Sequence, residues 1–415
     1  METVIGVSDF RAAPRLLFVG ERDRLSHFYA IGRTGTGKST LLRTLLAQDI
    51  AHGTGCTLLD PHGDLVDEVR QLVPAWRSQD LVYLDVPDAS ASWHFNPLAD
   101  VPTEKRALAT ANLVEVFKKL WPDDWGPRLE HLLRNVLITL LETPGASLGD
   151  IPRLLADKDY RRGVVSRIEN EEAKSFWRQE FERYTPGMRG VVVAPLQNKV
   201  GAFLSDPILR RILTGAHSSF DLREIMDDGK LLLVNLSKGQ LGEGPAGLLG
   251  SLLLSSLALA GLGRADGSAR NRRDFFIYLD EFHTFATLSL ATMLSELRKY
   301  HVGLILAHQY LSQLKPEVRD AVFGNVGTFV SFRVGALDAP IIARELAPTF
   351  TAEDLISLPN YHIYLRLMID GQVSKPFSAK TIGSLGEIPH LRELLGLVPR
   401  QRPAQEPSLG QAHMG

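Results

Sequence analysis

The segment Gly32-Arg33-Thr34-Gly35-Thr36-Gly37-Lys38-Ser39 constrains the fold of this chain more than any other feature of its sequence. The apolar run before it, residues 27–31, is typical of a buried strand, and residues 38–50 have the apolar spacing of an amphipathic helix. Glycines at these positions let backbone N–H groups turn inward, while the following helix directs the positive end of its dipole to the same point. A loop of this kind, between a strand and a helix, holds the phosphates of a nucleotide.

We therefore predict a nucleoside triphosphate site at this loop, with ATP and Mg²⁺ as cofactors. The Lys38 ammonium should reach the β- and γ-phosphates, and the Ser39 hydroxyl should ligate Mg²⁺. The residues predicted to contact the nucleotide are Gly32, Thr34, Gly35, Thr36, Gly37, Lys38, Ser39 and Thr40.

A pair of acidic residues, Asp280 and Glu281, ends another apolar run. An acidic pair of this kind alone is most often a solvated turn, but together with the glycine loop it indicates a hydrolytic site. Asp280 is predicted to hold Mg²⁺, and Glu281 is predicted to polarise the attacking water. Asp60 also ends an apolar run, where it can orient water or Mg²⁺ or can cap the turn before Pro61.

The remaining apolar runs predict an α/β fold with a central, mostly parallel sheet, because helix-length segments separate most of them. Between about residues 101 and 215 the apolar spacing is helical throughout, which predicts an all-α insertion. The predicted strand runs are residues 56–60, 81–85, 230–236, 274–280, 302–307, 328–334 and 362–368. The predicted domains are residues 1–100 and 216–398 for the two parts of the nucleotide-binding domain, 101–215 for the insertion, and 399–415 for a disordered tail.

Composition restricts the other possibilities. The formal net charge is −2, so a nucleic acid would have to meet a local basic surface. The single cysteine, Cys56, cannot form an internal disulfide and predicts a reduced, cytoplasmic protein. An uncharged stretch from Gly244 to Gly263 reaches the lower length limit of a membrane span, but glycines and serines recur in it. We therefore predict a helix buried on the sheet and no integral membrane segment.

Several short segments, in this order, resemble those of the conjugative coupling proteins, which are the TrwB- and TraD-like ATPases of type IV secretion within the HerA/FtsK superfamily. They are the loop at Gly32, Asp60-Pro-His-Gly-Asp-Leu65, Phe95-Asn-Pro-Leu98, Trp125-Gly-Pro-Arg-Leu-Glu130, Leu279-Asp-Glu-Phe-His283, and Leu297-Arg-Lys-Tyr300 followed by Ala307-His-Gln309. The likeness spans roughly residues 15–380. Membrane-bound members begin with transmembrane helices, and none precedes the first predicted strand here, so the resemblance predicts a soluble relative.

The resemblance implies a RecA-like nucleotide domain with an all-α insertion, assembled as a homo-oligomeric, hexameric ring that pumps DNA. It also implies a relaxase, a secretion-system protein or another protein as a partner. A nucleotide-dependent scaffold or effector ATPase that acts on a protein partner without threading DNA is the alternative.

The resemblance further assigns roles to two residues. Gln309 is implied to be the γ-phosphate sensor, and Arg298 is implied to reach the ATP of the neighbouring subunit. Arg333 is a second candidate for that role, because an arginine inside an apolar strand needs an anionic partner. His283 and His308 are expected near the nucleotide as packing groups.

Overall fold

The computed structural model of the protein describes residues 2–9, 14–123 and 125–382, so the predicted tail 399–415 lies outside the described residues. The strands are β1 (Glu2–Ser8), β2 (Leu16–Gly20), β3 (Phe28–Ile31), β4 (Gly55–Asp60), β5 (Leu81–Asp85), β6 (Leu231–Asn235), β7 (Phe275–Leu279), β8 (Val302–His308), β9 (Thr328–Ser331), β10 (His362–Arg366), β11 (Met368–Ile369), β12 (Gln372–Val373) and β13 (Phe377–Lys380). The α-helices are α1 (Glu21–Arg24), α2 (Lys38–His52), α3 (Asp64–Arg70), α4 (Arg106–Leu120), α5 (Pro127–Leu141), α6 (Ile151–Ala156), α7 (Lys158–Val165), α8 (Glu171–Ser175), α9 (Pro186–Leu204), α10 (Pro207–Leu213), α11 (Leu222–Asp228), α12 (Lys238–Leu241), α13 (Glu243–Gly263), α14 (Ser289–Glu296), α15 (Pro316–Asn325), α16 (Ala339–Glu345) and α17 (Ala352–Ser357).

Eleven strands form one sheet in the order β2-β1-β13-β10-β9-β3-β8-β7-β4-β6-β5. The seven strands from β9 to β5 are parallel, which confirms the predicted mostly parallel sheet. Strands β6, β7 and β8 are buried at every position, as expected of continuous apolar runs covered on both faces. The other four strands are antiparallel and form one side of the sheet.

Three strands of this antiparallel side, β1, β2 and β13, were not among the predicted runs. Strand β1 pairs with β13 through Val7 and Lys380, which lie at opposite ends of the described chain. A pairing between segments so far apart in sequence leaves no local pattern, because it depends on how the whole sheet is assembled.

Two apolar layers cover the faces of the sheet. Alternate residues of β3 point to opposite layers, Phe28 and Ala30 to one and Tyr29 and Ile31 to the other. Helices α2 and α3 pack in the layer of Phe28, whereas α13 and the helices that follow β5 pack in the layer of Tyr29. Helix α13 is the only described helix long and apolar enough to cross a membrane, and 72% of its most apolar window is buried within the fold. The predicted helix buried on the sheet is therefore confirmed.

Between β5 and β6, every regular element of the described residues is helical, as the apolar spacing predicts. The residues of α5 that repeat at helical spacing are buried. These are Leu129, Leu132, Leu133, Val136, Leu137 and Leu140. Helix α4 packs against both α5 and α13, so this helical region shares one continuous apolar core with a face of the sheet. The division of the chain into separate domains stays a prediction.

A buried ion pair ties α2 to the sheet. The Arg24 guanidinium donates to both carboxylate oxygens of Asp49, at 2.6 and 2.8 Å, and to the Tyr278 hydroxyl at 2.7 Å. Arg24 and Asp49 are 2% and 1% exposed, so loss of either partner would leave an uncompensated charge in the core. Because Tyr278 lies in β7 and Asp49 in α2, this contact fixes the helix after the glycine loop against the strand that precedes the acidic pair.

Candidate nucleotide-binding site

The glycine loop connects β3 to α2 at the carboxyl edge of the parallel strands. Gly35 and Gly37 have φ angles of 75° and 118°, in the left-handed region that side chains with a Cβ rarely adopt. Gly32 is needed for a different reason, because a Cβ there would lie 2.4 Å from the Cβ of Phe332. The loop is also anchored by its backbone, since the Arg33 N–H donates to the Arg333 carbonyl at 2.9 Å.

The amino end of α2 carries positive potential that no side chain of the first helical turn offsets. Its N-cap is Gly37, without a capping side chain, and its first turn contains no acidic residue. The N–H groups of a first helical turn have no carbonyl partner within the helix, so they are available to an anion. Ser39 is exposed at this end and Thr40 is half-buried. A triphosphate fits this end of the helix by charge and by available donors.

Lys38 lies at the start of α2 with its ammonium folded back onto the loop. Its Nζ donates to the carbonyl oxygens of Gly32 at 2.7 Å and Arg33 at 3.3 Å, and the residue is 6% exposed. Burial lowers the pKa of Lys38, while the negative charges of Glu281 and Asp280 act in the opposite direction. A phosphate would supply the counter-charge that the two neutral carbonyls do not.

Asp280 and Asp60 are brought together because β7 and β4 are neighbouring parallel strands, with Leu279 in register with Leu59. Asp280 is 5% exposed, and burial, together with the charges of Asp60 and Glu281, raises its pKa to about 7. A divalent cation would relieve this concentration of negative charge, so the acids fit Mg²⁺.

Asp60 itself caps the turn that follows β4. Its carboxylate accepts the backbone N–H groups of His62 at 2.8 Å and Val66 at 3.0 Å. The structure therefore shows the turn cap, one of the two roles that the sequence allows, and the role of Asp60 toward water or Mg²⁺ stays a prediction. The Asp60 charge acts on Asp280 from this position.

A hydrogen-bonded chain links the loop to the second acid. The Thr34 hydroxyl donates to Gln309 Oε1 at 2.7 Å, and Gln309 Nε2 donates to Glu281 Oε1 at 2.7 Å. The other oxygen of Glu281, Oε2, is buried without a hydrogen-bond partner among the described residues. Glu281 also has a φ of 44°, a strained conformation for a residue with a side chain. This hydrogen-bonded chain thus brings together three residues that the sequence predicted, and it leaves Glu281 Oε2 outside its hydrogen bonds.

His283 and His308 lie close to this chain. His283 Nδ1 is 3.5 Å from Glu281 Oε2, and burial together with nearby cations lowers the His283 pKa to about 4. His308 is fully buried and stacks on Tyr29, and burial lowers its pKa to about 3. Both rings are therefore neutral near pH 7 and pack beside the site, as expected.

Arg298 is not part of this cluster. It is exposed in the turn Leu297–Tyr300, which leads into β8, whereas Gln309 follows the last residue of that strand. Among the described residues, its side chain has no hydrogen bond or ion pair within the subunit. Its role toward a neighbouring subunit stays a prediction.

The prediction that Arg333 lies inside an apolar strand was wrong. Strand β9 ends at Ser331, so Arg333 lies in the loop after the strand and not inside it. Its guanidinium donates to the Leu358 carbonyl at 3.3 Å and to Asn360 Oδ1 at 2.8 Å, and both partners are neutral. Arg333 therefore supports the conformation of its own glycine loop through its backbone carbonyl.

The contact that Lys119 makes at this site was not predicted from the sequence. Lys119 of α4 donates to the carbonyl oxygens of His283, at 3.0 Å, and of Thr284. In the sequence it is one of two adjacent lysines near the end of an amphipathic helix, which is usually a solvated position. No local pattern marks it, because its partners are 164 residues away or more.

Comparison with known proteins gives one family and several similar folds. The family described as the type IV secretion-system coupling protein DNA-binding domain matches residues 18–336. A structure of the bacterial conjugative coupling protein TrwBdeltaN70 is 14% identical, with a TM-score of 0.59, and the match covers 88% of this chain and 87% of that one. No match is found among the sequences of curated proteins.

Two further structures extend this comparison. TrwB in complex with ADP and Mg²⁺ is 14% identical with a TM-score of 0.59, and the match covers 87% of this chain and 86% of that one. VirB4 of Thermoanaerobacter pseudethanolicus is 17% identical with a TM-score of 0.61, and the match covers 92% of this chain and 96% of that one. At these identities the structures show a common fold, and the predicted RecA-like P-loop architecture is confirmed.

Proposed function

Because the chain belongs to the family of type IV secretion-system coupling proteins, we propose that it is an ATP-hydrolysing ring motor that moves DNA. The family match covers most of the chain, and the loop and acidic pair lie within it. The family supports a nucleotide-binding ATPase of type IV secretion; hydrolysis and DNA movement are the proposed steps.

The observation that carries the hydrolytic proposal is the position of Glu281. Its carboxylate is connected through Gln309 to Thr34 of the loop, and its second oxygen accepts no hydrogen bond from the residues that the structure describes. An acid with one oxygen fixed and the other free can accept a proton from a water molecule directed at the terminal phosphate. Gln309 holds this acid in place and would sense the occupant of the loop through Thr34.

The remaining residues of the site are proposed to bind the nucleotide. Lys38 and the amino end of α2 would hold the phosphates, while the Ser39 hydroxyl and the Asp280 carboxylate would hold Mg²⁺. Bound Mg²⁺ would neutralise charge on the transferred phosphoryl group. The complex of TrwB with ADP and Mg²⁺, which shares this fold, supports these cofactors.

The ring and its substrate follow from the family. We propose a homo-oligomer, hexameric as the resemblance implies, in which Arg298 of one subunit reaches the nucleotide of the next. DNA is the proposed substrate, a relaxase or secretion-system protein is the proposed partner, and the cytoplasm is the proposed location. The domain described for the family supports contact with DNA.

Turnover measured with and without DNA tests this function. With Mg²⁺ and ATP, we expect single- or double-stranded DNA to raise turnover of the oligomer several-fold, and we expect Lys38→Ala to abolish both basal and stimulated turnover. Glu281→Gln should bind ATP but turn it over at least about a hundredfold more slowly, because it lacks the base. Unchanged turnover across both forms of DNA, in a verified oligomer, would contradict the DNA motor and favour an effector ATPase with a protein partner.

A further inference from the structure

The segment that follows the acidic pair is enclosed by two helices. On one side, the Ser251 hydroxyl of α13 donates to the Phe285 carbonyl at 3.1 Å. On the other side, Lys119 of α4 donates to the carbonyl oxygens of His283 and Thr284. Helix α4 belongs to the helical region between β5 and β6, so Lys119 provides a direct polar contact between that region and the segment beside Glu281.

Lys119 occupies an unusual environment for a lysine. Its partners are two neutral carbonyl oxygens, and no carboxylate of the described residues forms an ion pair with it. Burial, with a contribution from the Lys315 cation, lowers the Lys119 pKa to about 7. Its neighbour Lys118 instead pairs with a carboxylate, that of Glu115, at 3.5 Å. The residue as a whole is half-buried, and its contact with the segment consists of hydrogen bonds from Nζ, not of an ion pair.

The carbonyls that Lys119 holds are closely connected to Glu281. The Thr284 N–H donates to the Glu281 carbonyl at 2.9 Å, which closes a short turn. Glu281 is held in the left-handed region, a conformation that persists only when the surrounding structure enforces it. A shift of α4 would therefore move the carbonyls of this turn and, with them, the Glu281 backbone.

We propose that Lys119 is a positioning residue that fastens residues 282–285 to the helical region and thereby sets the position of the Glu281 carboxylate. Movement of α4 is then coupled to the hydrolytic competence of the site. This inference rests on the proposed ATPase function, but the position of the segment can be measured without turnover.

Hydrogen exchange on the nucleotide-free, full-length protein tests the positioning directly. Lys119→Met keeps most of the length of the side chain and removes its donors, so we expect amides of residues 282–286 to exchange at least about tenfold faster while β6 exchanges as in the wild type. Lys118→Met is the matched control and should leave exchange of this segment unchanged. Lys119→Arg, which retains donors, should restore most of the protection.

Wild-type exchange of residues 282–286 in Lys119→Met would overturn the proposal. Should Lys119→Met fail to fold, which faster exchange in β6 would reveal, Lys119→Leu, which also lacks donors, takes its place with the same expectation. If neither variant exposes the segment selectively, the contact has no positioning role.

Single-turnover kinetics then test the effect on Glu281. We expect Lys119→Met to lower the rate of hydrolysis at least about tenfold, to leave the Kd of a non-hydrolysable ATP analogue within about twofold of the wild type, and to recover in Lys119→Arg. In a Glu281→Gln background, Lys119→Met should cause little further loss, because the two residues act through one group. An equal loss in both backgrounds would contradict the proposal. A wild-type protein without any hydrolysis would instead refute the proposed function, and the exchange measurement would still decide the role of Lys119.

Discussion

Asp280 is a carboxyl group in an environment that disfavours its charged form. It is almost fully buried, and the charges of Asp60 and Glu281 add to the effect of burial on its pKa. Glu281 is strained at its backbone, and one of its carboxylate oxygens accepts no hydrogen bond within the described part of the chain. Buried charges and backbone strain of this kind are concentrated at functional sites, where a bound ligand makes them less unfavourable.

The Asp280 environment leads to a prediction about stability without nucleotide or Mg²⁺. Its pKa is about 7 in the folded protein, against 3.8 for an ordinary aspartate, so the folded state binds the proton more tightly than the unfolded state. Stability contributed by this group is therefore lost as the pH rises through this range. We expect Asp280→Asn to increase the free energy of unfolding by on the order of 2 kcal/mol more at about pH 8 than at about pH 4, measured by urea unfolding in EDTA.

An aspartate whose pKa is lowered in the folded protein provides the control. Asp88 is exposed, and hydrogen bonds from Ser90 lower its pKa. Asp88→Asn should not increase the free energy of unfolding more at about pH 8 than at about pH 4. If Asp280→Asn changed stability equally at both pH values, the Asp280 carboxyl would not be held in the protonated form by its surroundings.

At the scale of elements, the small residues of α13 allow the segment after the acidic pair to pack closely. A Cβ on Gly250 would lie 2.3 Å from the Phe285 ring, and Gly247 lies beside the Thr284 carbonyl. The same glycines and serines lower the hydrophobicity that would otherwise suggest a membrane span. Their composition therefore reflects the close packing of this helix against the segment beside Glu281.

Two glycines of α13 make a matched pair for measurement. We expect Gly250→Ala to lower the free energy of unfolding by about 1 to 3 kcal/mol, because the added methyl group overlaps the Phe285 ring in a closely packed core. Gly244→Ala has open space around its Cβ and should raise stability by up to about 1 kcal/mol, because alanine favours the helix. Both are measured by denaturant unfolding, and equal effects at the two positions would show that Phe285 moves aside.

At the scale of the whole molecule, the position of Arg298 separates it from the nucleotide site of its own subunit. The seven residues of β8 lie between them, which corresponds to about 20 Å along the strand. An exposed arginine at that end of the sheet is available to a neighbouring subunit.

Mixed oligomers test this arrangement. We expect Arg298→Ala to abolish turnover and to leave ATP binding intact, since a trans-acting arginine contributes to the transition state and can be worth roughly 10³ to 10⁵ in rate. Subunits carrying Arg298→Ala, mixed with subunits carrying Lys38→Ala, should regain part of the activity, because some interfaces then pair an intact loop with an intact arginine.

The neighbouring Lys299, which is exposed and paired with Glu296, is the control for the mixing experiment. Lys299→Ala should retain wild-type turnover. Mixed oligomers without any recovery would count against a role for Arg298 across the interface.

Much of the site could be predicted from the sequence, because its main features are local. The glycine loop requires particular residues at fixed spacing, and strands buried on both faces appear as continuous apolar runs, so the loop, α2 and the parallel strands were predicted close to their observed bounds. Asp280 and Gln309 follow such strands directly, at the edge where the carboxyl ends of parallel strands meet.

Only the tertiary structure decided which side chains touch. Thr34 and Gln309 are 275 residues apart, and Lys119 and His283 are 164 residues apart. The neutral partners of Arg333 and the pairing of β1 with β13 were equally hidden. Local spacing determines the backbone pattern of a segment, whereas these contacts depend on the packing of distant segments against one another, which no window of the sequence contains.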